Sequence, residues 1–297
     1  MSFAGSLLLT GVGAMVYKFD RNQIFKKCPD NRLGDKSYKK KYESTTARAF
    51  NVVGNFFNEF FNGSSFLYPL AGVRFFFNNS KELSFPILGI FALYLLMYSI
   101  VSIVYWSTIT PVYTALFAIF GPPGLLVAWV HAILQANLLT MMFMRLCHFN
   151  NNLITITIKS SGFKKGFNKR PIKYYVPINT VHSWTFHLPW KFFKYFMGFL
   201  TLVVLLVISS IPLIGPLLFN FLVSPFIAKV YFSKILRMKG LSNTARSDEF
   251  FDHYGQYCAF GLTAGFLENL PIVSGFTLCT NTIGGALWGI DRDLSRE

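Results

Sequence analysis

Three stretches of the chain carry almost no charge, and each is interrupted near its middle by proline and glycine. From Leu83 to Met144 there are 62 residues without Asp, Glu, Lys or Arg. A second uncharged run covers the 34 residues Tyr195–Ala228, and a third, His253–Ile290, is broken only by Glu268. A helix needs about 20 apolar residues to cross a hydrocarbon core of about 30 Å. The first run therefore predicts two full spans, Phe85–Ile109 and Leu125–Leu146. The other two hold about 17 residues per arm if each folds back on itself, the lower limit for a crossing. Proline removes a helix donor and glycine permits a reversed backbone. The expected hairpin breakers are Gly121, Pro122, Pro123 and Gly124 in the first run, Pro212, Gly215 and Pro216 in the second, and Pro271 and Gly275 in the third. Helical hairpins at about 83–147, 195–228 and 253–290 follow. Kinked single helices are the alternative, as are hairpins that enter without emerging.

Residues 1–65 read as a basic amino-terminal region, 66–293 as the membrane domain and 294–297 as a polar tail. The apolar residues up to Tyr17 follow no basic stretch, so a tucked or interfacial helix is expected there rather than a cleaved signal. Phe50, Val53, Phe57 and Phe60 or Phe61 recur at helical spacing, which predicts an amphipathic helix in the membrane interface. Packing of that helix on the hairpins is the alternative. Lys36–Lys41 would meet anionic headgroups there, or else form a solvated linker.

Composition narrows the class. The chain of 297 residues is 53% hydrophobic and only 14% charged, with a mean hydropathy of +0.42. Soluble proteins carry about 25% charged residues, so a soluble enzyme or a nucleic-acid binder is disfavoured despite a net charge of +15. That charge sits between the runs. Lys18–Arg48 holds ten basic residues against four acids, Lys159–Lys194 holds eight and no acid, and Lys229–Arg246 holds five. Lys and Arg in short loops favour the cytosolic side. If all three runs are hairpins, these segments and both termini share that face. The two sequons, Asn62-Gly63-Ser64 and Asn78-Asn79-Ser80, would then face the cytosol and stay unmodified. The expected fold is an all-α integral membrane protein of helical hairpins, with cytosolic basic loops and an amino-terminal interfacial helix. A homo-oligomer is compatible with it.

Catalytic motifs are absent from the sequence. None of the five histidines has an aspartate five residues on, and there is no GxSxG, GxxxxGK[ST] or HExxH. Cys28, Cys147, Cys258 and Cys279 form no CxxC pair, and Asp291-Arg292-Asp293 reads as part of a polar tail rather than a metal site. No enzyme activity, cofactor or metal is expected. Polar residues inside the apolar runs carry more. His131, Gln135, Met142 and Arg145 share a helix face, and Glu268 is the lone acid of the third run. Such groups face the protein interior or a watery path. His131, Gln135, Arg145 and Glu268 form the candidate intramembrane polar site, structural or solute-binding.

Four stretches carry a family resemblance. They are Tyr68-Pro69-Leu70-Ala71-Gly72-Val73-Arg74-Phe75-Phe76-Phe77; Gly121-Pro122-Pro123-Gly124 with Ala128-Trp129-Val130-His131; Ile211-Pro212-Leu213-Ile214-Gly215-Pro216; and Asn281-Thr282-Ile283-Gly284-Gly285-Ala286-Leu287-Trp288. Over Phe66–Asp293 the chain resembles the fungal outer-spore-wall, lipid-droplet-in-sporulation proteins, a branch of the etoposide-induced-protein/CysZ-like membrane superfamily. The resemblance implies a non-enzymatic protein of lipid-droplet and endoplasmic-reticulum membranes, with the prospore membrane a further location, contributing to spore outer wall assembly. Its expected partners are a bilayer or droplet monolayer containing anionic lipids. A CysZ-like permease for sulfate-type anions or small solutes is the competing implication.

Overall fold

The computed structural model describes residues 25–27, 38–163, 173–175, 181, 183–241 and 243–294. The helix expected up to Tyr17, together with Cys28, Lys36 and His182, lies outside these residues. Helices dominate, and the all-α membrane class expected from sequence holds. Among the described residues the exception is a parallel pairing of two three-residue strands, β1 (Phe25–Lys27) and β2 (Lys173–Tyr175).

The chain forms two compact units, each assembled from separated stretches. The first comprises Met1–Phe56, Gly166–Val203 and Leu236–His253; the second comprises Phe57–Lys165, Val204–Ile235 and Tyr254–Glu297. Helix α1 (Tyr38–Asn62), whose residues up to Phe56 belong to the first unit, carries Lys39-Lys40-Lys41 in its first turn. Phe50, Val53, Phe57 and Phe61 form one stripe along it, each 70–76% exposed. The expected ambiguity at the end of the stripe resolves to Phe61. Arg48 and Asn51 lie on the other side of the helix, at the 100° per residue of an α-helix. Arg48 pairs with Asp248 at 2.6 Å, and Asn51 reaches Asp252 at 3.4 Å, both acids belonging to α9 (Asn243–Asp252). The polar side of α1 is thus bonded while its apolar stripe is largely exposed.

The second unit holds α2 (Tyr68–Asn78), α3 (Ser80–Thr108), α4 (Thr110–Phe117), α5 (Gly121–Cys147) and α6 (Asn151–Ser160). Four helical segments are long and apolar enough to cross a membrane: Ser80–Thr108, Thr110–Cys147, Trp184–Ser209 and Ile214–Met238. The last two contain α7 (Leu188–Ser209) and α8 (Ile214–Met238). These helices run to 22 and 25 residues, longer than the arms expected from charge-free length. Lysines do not stop a helix. Lys191, Lys194, Lys229 and Lys234 all lie within these helices, and Lys234 donates to the Thr155 hydroxyl at 2.7 Å.

The expected breakers act differently from one another. Gly121-Pro122-Pro123-Gly124 opens α5 rather than forming a free turn. Proline lacks only a donor that the first helical turn leaves unbonded, so it starts a helix as readily as it ends one. Gly121 has φ +69°, and the chain reverses through α4 and the 3-10 turn Ala118–Phe120. Pro212 lies in the turn before α8, where Leu213 has φ +63°, while Gly215 and Pro216 are in the first turn of that helix. Pro271 sits in the turn between α10 (Tyr254–Leu267) and α11 (Ser274–Leu294), beside Ile272 at φ +71°, and Gly275 is the second residue of α11.

The third run departs most from expectation. At 1.5 Å per residue, the 14 residues of α10 span about 21 Å, short of the hydrocarbon thickness. Most of α10 and α11 faces inward: Tyr257, Phe260, Ala264, Leu278, Cys279, Ile283 and Ala286 are all fully buried. The tip of the run is open, with Phe266, Leu270, Ile272 and Val273 45–69% exposed. Away from that tip the run forms the inside of the second unit, where protein supplies the apolar surroundings. Helix α2 packs along α11 so closely that their backbones nearly touch. A Cβ added at Gly284 would stand 2.2 Å from the Tyr68 carbonyl oxygen, and one at Gly72 would stand 2.1 Å from that of Thr280. Small residues at such crossings let helices approach without a side chain between them. Two of the four family-resembling stretches therefore meet here. Next to the crossing, Trp288 packs among Tyr68, Phe232, Tyr257 and Phe260, with Arg292 over its ring at 5.5 Å. Tyr68 donates to Asp291 at 2.8 Å. Burial, reinforced by that carboxylate, pushes the Tyr68 hydroxyl up to about 12.

Candidate functional site: a buried polar network

Three helices of the second unit converge on Glu268, in the turn between α10 and α11. Its Oε2 accepts from the Arg145 guanidinium of α5. Its Oε1 accepts from the Tyr231 hydroxyl of α8 and, at 2.6 Å, from the Asn281 amide of α11. Its backbone carbonyl accepts from Asn137 of α5 at 2.9 Å and from Ser274 at 2.8 Å. Tyr94 of α3 donates to Asn137 Oδ1 at 2.8 Å, and Asn281 also donates to the Ala264 carbonyl at 3.1 Å. Glu268 is 1% exposed and Arg145 7%.

This arrangement solves a problem that the third run creates. The buried start of the turn has carbonyls without helical partners and a carboxylate without water. Burying either unpaired is costly. Two amides and three hydroxyls from neighbouring elements satisfy the turn and its surroundings, and one guanidinium neutralises the charge. The carboxylate holds three donors, which commits it to holding the turn on α5, α8 and α11. Arg145 Nε and Asn281 Oδ1 have no protein partner, leaving room in the network for a bound water. Among the described residues, no three His, Cys, Asp or Glu side chains gather as a metal-holding group would require.

The candidate residues read from sequence divide into two places. Arg145 and Glu268 come together, 123 positions apart in the chain. His131 and Gln135 share the buried face of α5 but sit elsewhere. Fourteen residues of helix separate His131 from Arg145, about 21 Å. Gln135 donates to Ser209 Oγ at 2.8 Å, and the His131 ring lies 5.0 Å from that of Tyr113. Tyr113 in turn donates to the Ser210 carbonyl at 2.7 Å. Both ring nitrogens of His131 and Oε1 of Gln135 lack protein partners. Sequence reasoning did not single out Asn137, Tyr231, Ser274, Tyr94 or Asn281 as site residues. Asn137 carried a usable signal as the one asparagine between Leu83 and Met144. Tyr94 and Tyr231 did not stand out in a chain with 14 tyrosines and 34 phenylalanines.

Long apolar helices around an internal, charge-neutral polar network define an all-α membrane-type protein. The chain belongs to the outer spore wall protein family. It is 45% identical over 303 aligned residues to Outer spore wall protein LDS1 of Saccharomyces cerevisiae, covering 100% of this chain and 93% of that protein. Outer spore wall protein RRT8 of the same yeast is 28% identical over 252 residues, 79% of this chain and 74% of that protein. Outer spore wall protein LDS2 matches over 89 residues at 26% identity, 29% of this chain and 25% of that protein. No family model and no solved structure matches the chain.

Proposed function

We propose that the protein is a non-enzymatic organiser of endoplasmic-reticulum and lipid-droplet membranes that contributes to outer spore wall assembly. The observation that carries this reading is the distribution of exposed apolar groups and charge. Phe85, Ile119, Phe120 and Phe199 are outward-facing on or beside the long helices, while the turn 210–213 is free of charge. Basic residues cluster between the runs, which puts those loops and both termini on the cytosolic side. A droplet has a single phospholipid layer over oil, so a resident protein must keep its charged parts on one side. The exposed stripe of α1 suits shallow insertion in such a layer, and the basic sequence at the start of that helix favours anionic headgroups.

The permease reading draws on the unpartnered nitrogens of His131. Against it stands Arg145, the buried cation an anion path would use, which is already neutralised by Glu268. Imaging a fluorescent fusion through growth and sporulation decides the location. Rings around droplets are the expected result. A signal confined to the plasma membrane at every stage would overturn the droplet reading.

A further inference from the structure

A groove of about 640 Å³ opens beside the first turns of α3, within the range of pockets that hold small organic ligands. Phe76 of α2, Phe276 of α11, and Phe85, Ile87, Leu88 and Phe91 of α3 line it. Phe76 and Phe276 meet edge to face at 5.2 Å. Its remaining lining residue, Ser84, gives its hydroxyl to the Ser80 carbonyl at 2.6 Å. The lining therefore offers an occupant apolar surface and little else, which excludes a sugar, nucleotide or free anion and fits a hydrocarbon chain.

The charge beside the groove identifies the other end of the occupant. Lys81 precedes Phe85 and Leu88 by four and seven residues, so the three share a face of α3. Lys81 is exposed, and among the described residues it has no ionic partner. The adjacent acid, Glu82, is engaged by the Ser160 hydroxyl. An apolar slot with an unpaired lysine at its end complements a lipid bearing a negative headgroup.

We propose that this groove holds one acyl chain of an anionic glycerophospholipid, with its phosphate against Lys81. Such a lipid would cover Phe85, which is 86% exposed, and would fix the start of α3 at the boundary between headgroups and chains. The site rests on membrane residence alone. Its test is read on purified protein and gives the same answer whether or not the protein reaches droplets.

The full chain, purified in mild detergent and washed exhaustively, is analysed for retained phospholipid by mass spectrometry. About one phospholipid per chain is expected, enriched in anionic headgroups over the source membrane. Leu88→Trp fills the groove and is expected to lower retention severalfold. Lys81→Gln, an exposed change that leaves the fold intact, is expected to weaken anionic enrichment about fivefold, the equivalent of about 1 kcal/mol for one headgroup-level cation. Retained lipid that mirrors the source membrane, or retention and composition unchanged in Lys81→Gln, would overturn the assignment.

Discussion

Replacing Glu268 with alanine is expected to destabilise the second unit by about 3–5 kcal/mol, the cost of leaving a buried cation without its partner. The loss has three parts. Arg145 keeps its charge in surroundings that cannot solvate it, the Tyr231 hydroxyl and Asn281 amide lose an acceptor, and the turn loses its hold on α5. Removing both charges together, as Arg145→Met with Glu268→Met, should cost less than the single change. Well-packed apolar residues often replace a buried ion pair with little or no penalty, although Tyr231 and Asn281 would still lack their acceptor. Thermal unfolding of the detergent-purified variants measures this. Effects of the two single substitutions that simply add would mean that Arg145 and Glu268 are not coupled.

The second large effect belongs to a residue with no side chain. Gly284→Leu forces a Cβ to 2.2 Å from the Tyr68 carbonyl oxygen, and backbone on both sides of the crossing leaves nothing flexible to yield. Helix α2 must then lift from α11, carrying Tyr68 away from Trp288 and Asp291. A loss of about 3 kcal/mol is expected, the upper end of ordinary overpacking. Gly89→Ala is the control, because a Cβ at Gly89 meets nothing within 4 Å. The first variant should lose monodisperse protein on size-exclusion chromatography and the second should not. Equal behaviour of the pair would show that the close crossing is not required.

Helix positions were largely legible because charge-free length is a direct record of what can be taken out of water. Ser80–Thr108 and Gly121–Cys147 follow from the first run in that way. The α1 stripe was legible from the spacing of Phe50, Val53 and Phe57. Hydropathy does not record which apolar environment a segment enters. Lipid tails and protein interior are equally favourable to Phe260 or Ile283, so the hairpin of the third run is legible in sequence while the burial of most of its two helices in the second unit is not. Charge inside an apolar run marked Arg145 and Glu268 as buried, but pairing depends on depth as well as face. His131 shares the face of Arg145 and lies at another level. Gly72 and Gly284 stand in recognisable stretches, yet the crossing between them is a long-range fact that local pattern does not contain.

The central claim is that the basic loops share one membrane face, which requires the chain to return after each uncharged run. Single cysteines placed at Ser161 and Lys239, in a chain whose four native cysteines are replaced by serine, test it in sealed microsomes with a membrane-impermeant maleimide. Both positions are expected to react from the cytosolic side before the membrane is opened. Lys239→Cys protected until the lumen is exposed, with Ser161→Cys reactive from the start, would contradict it.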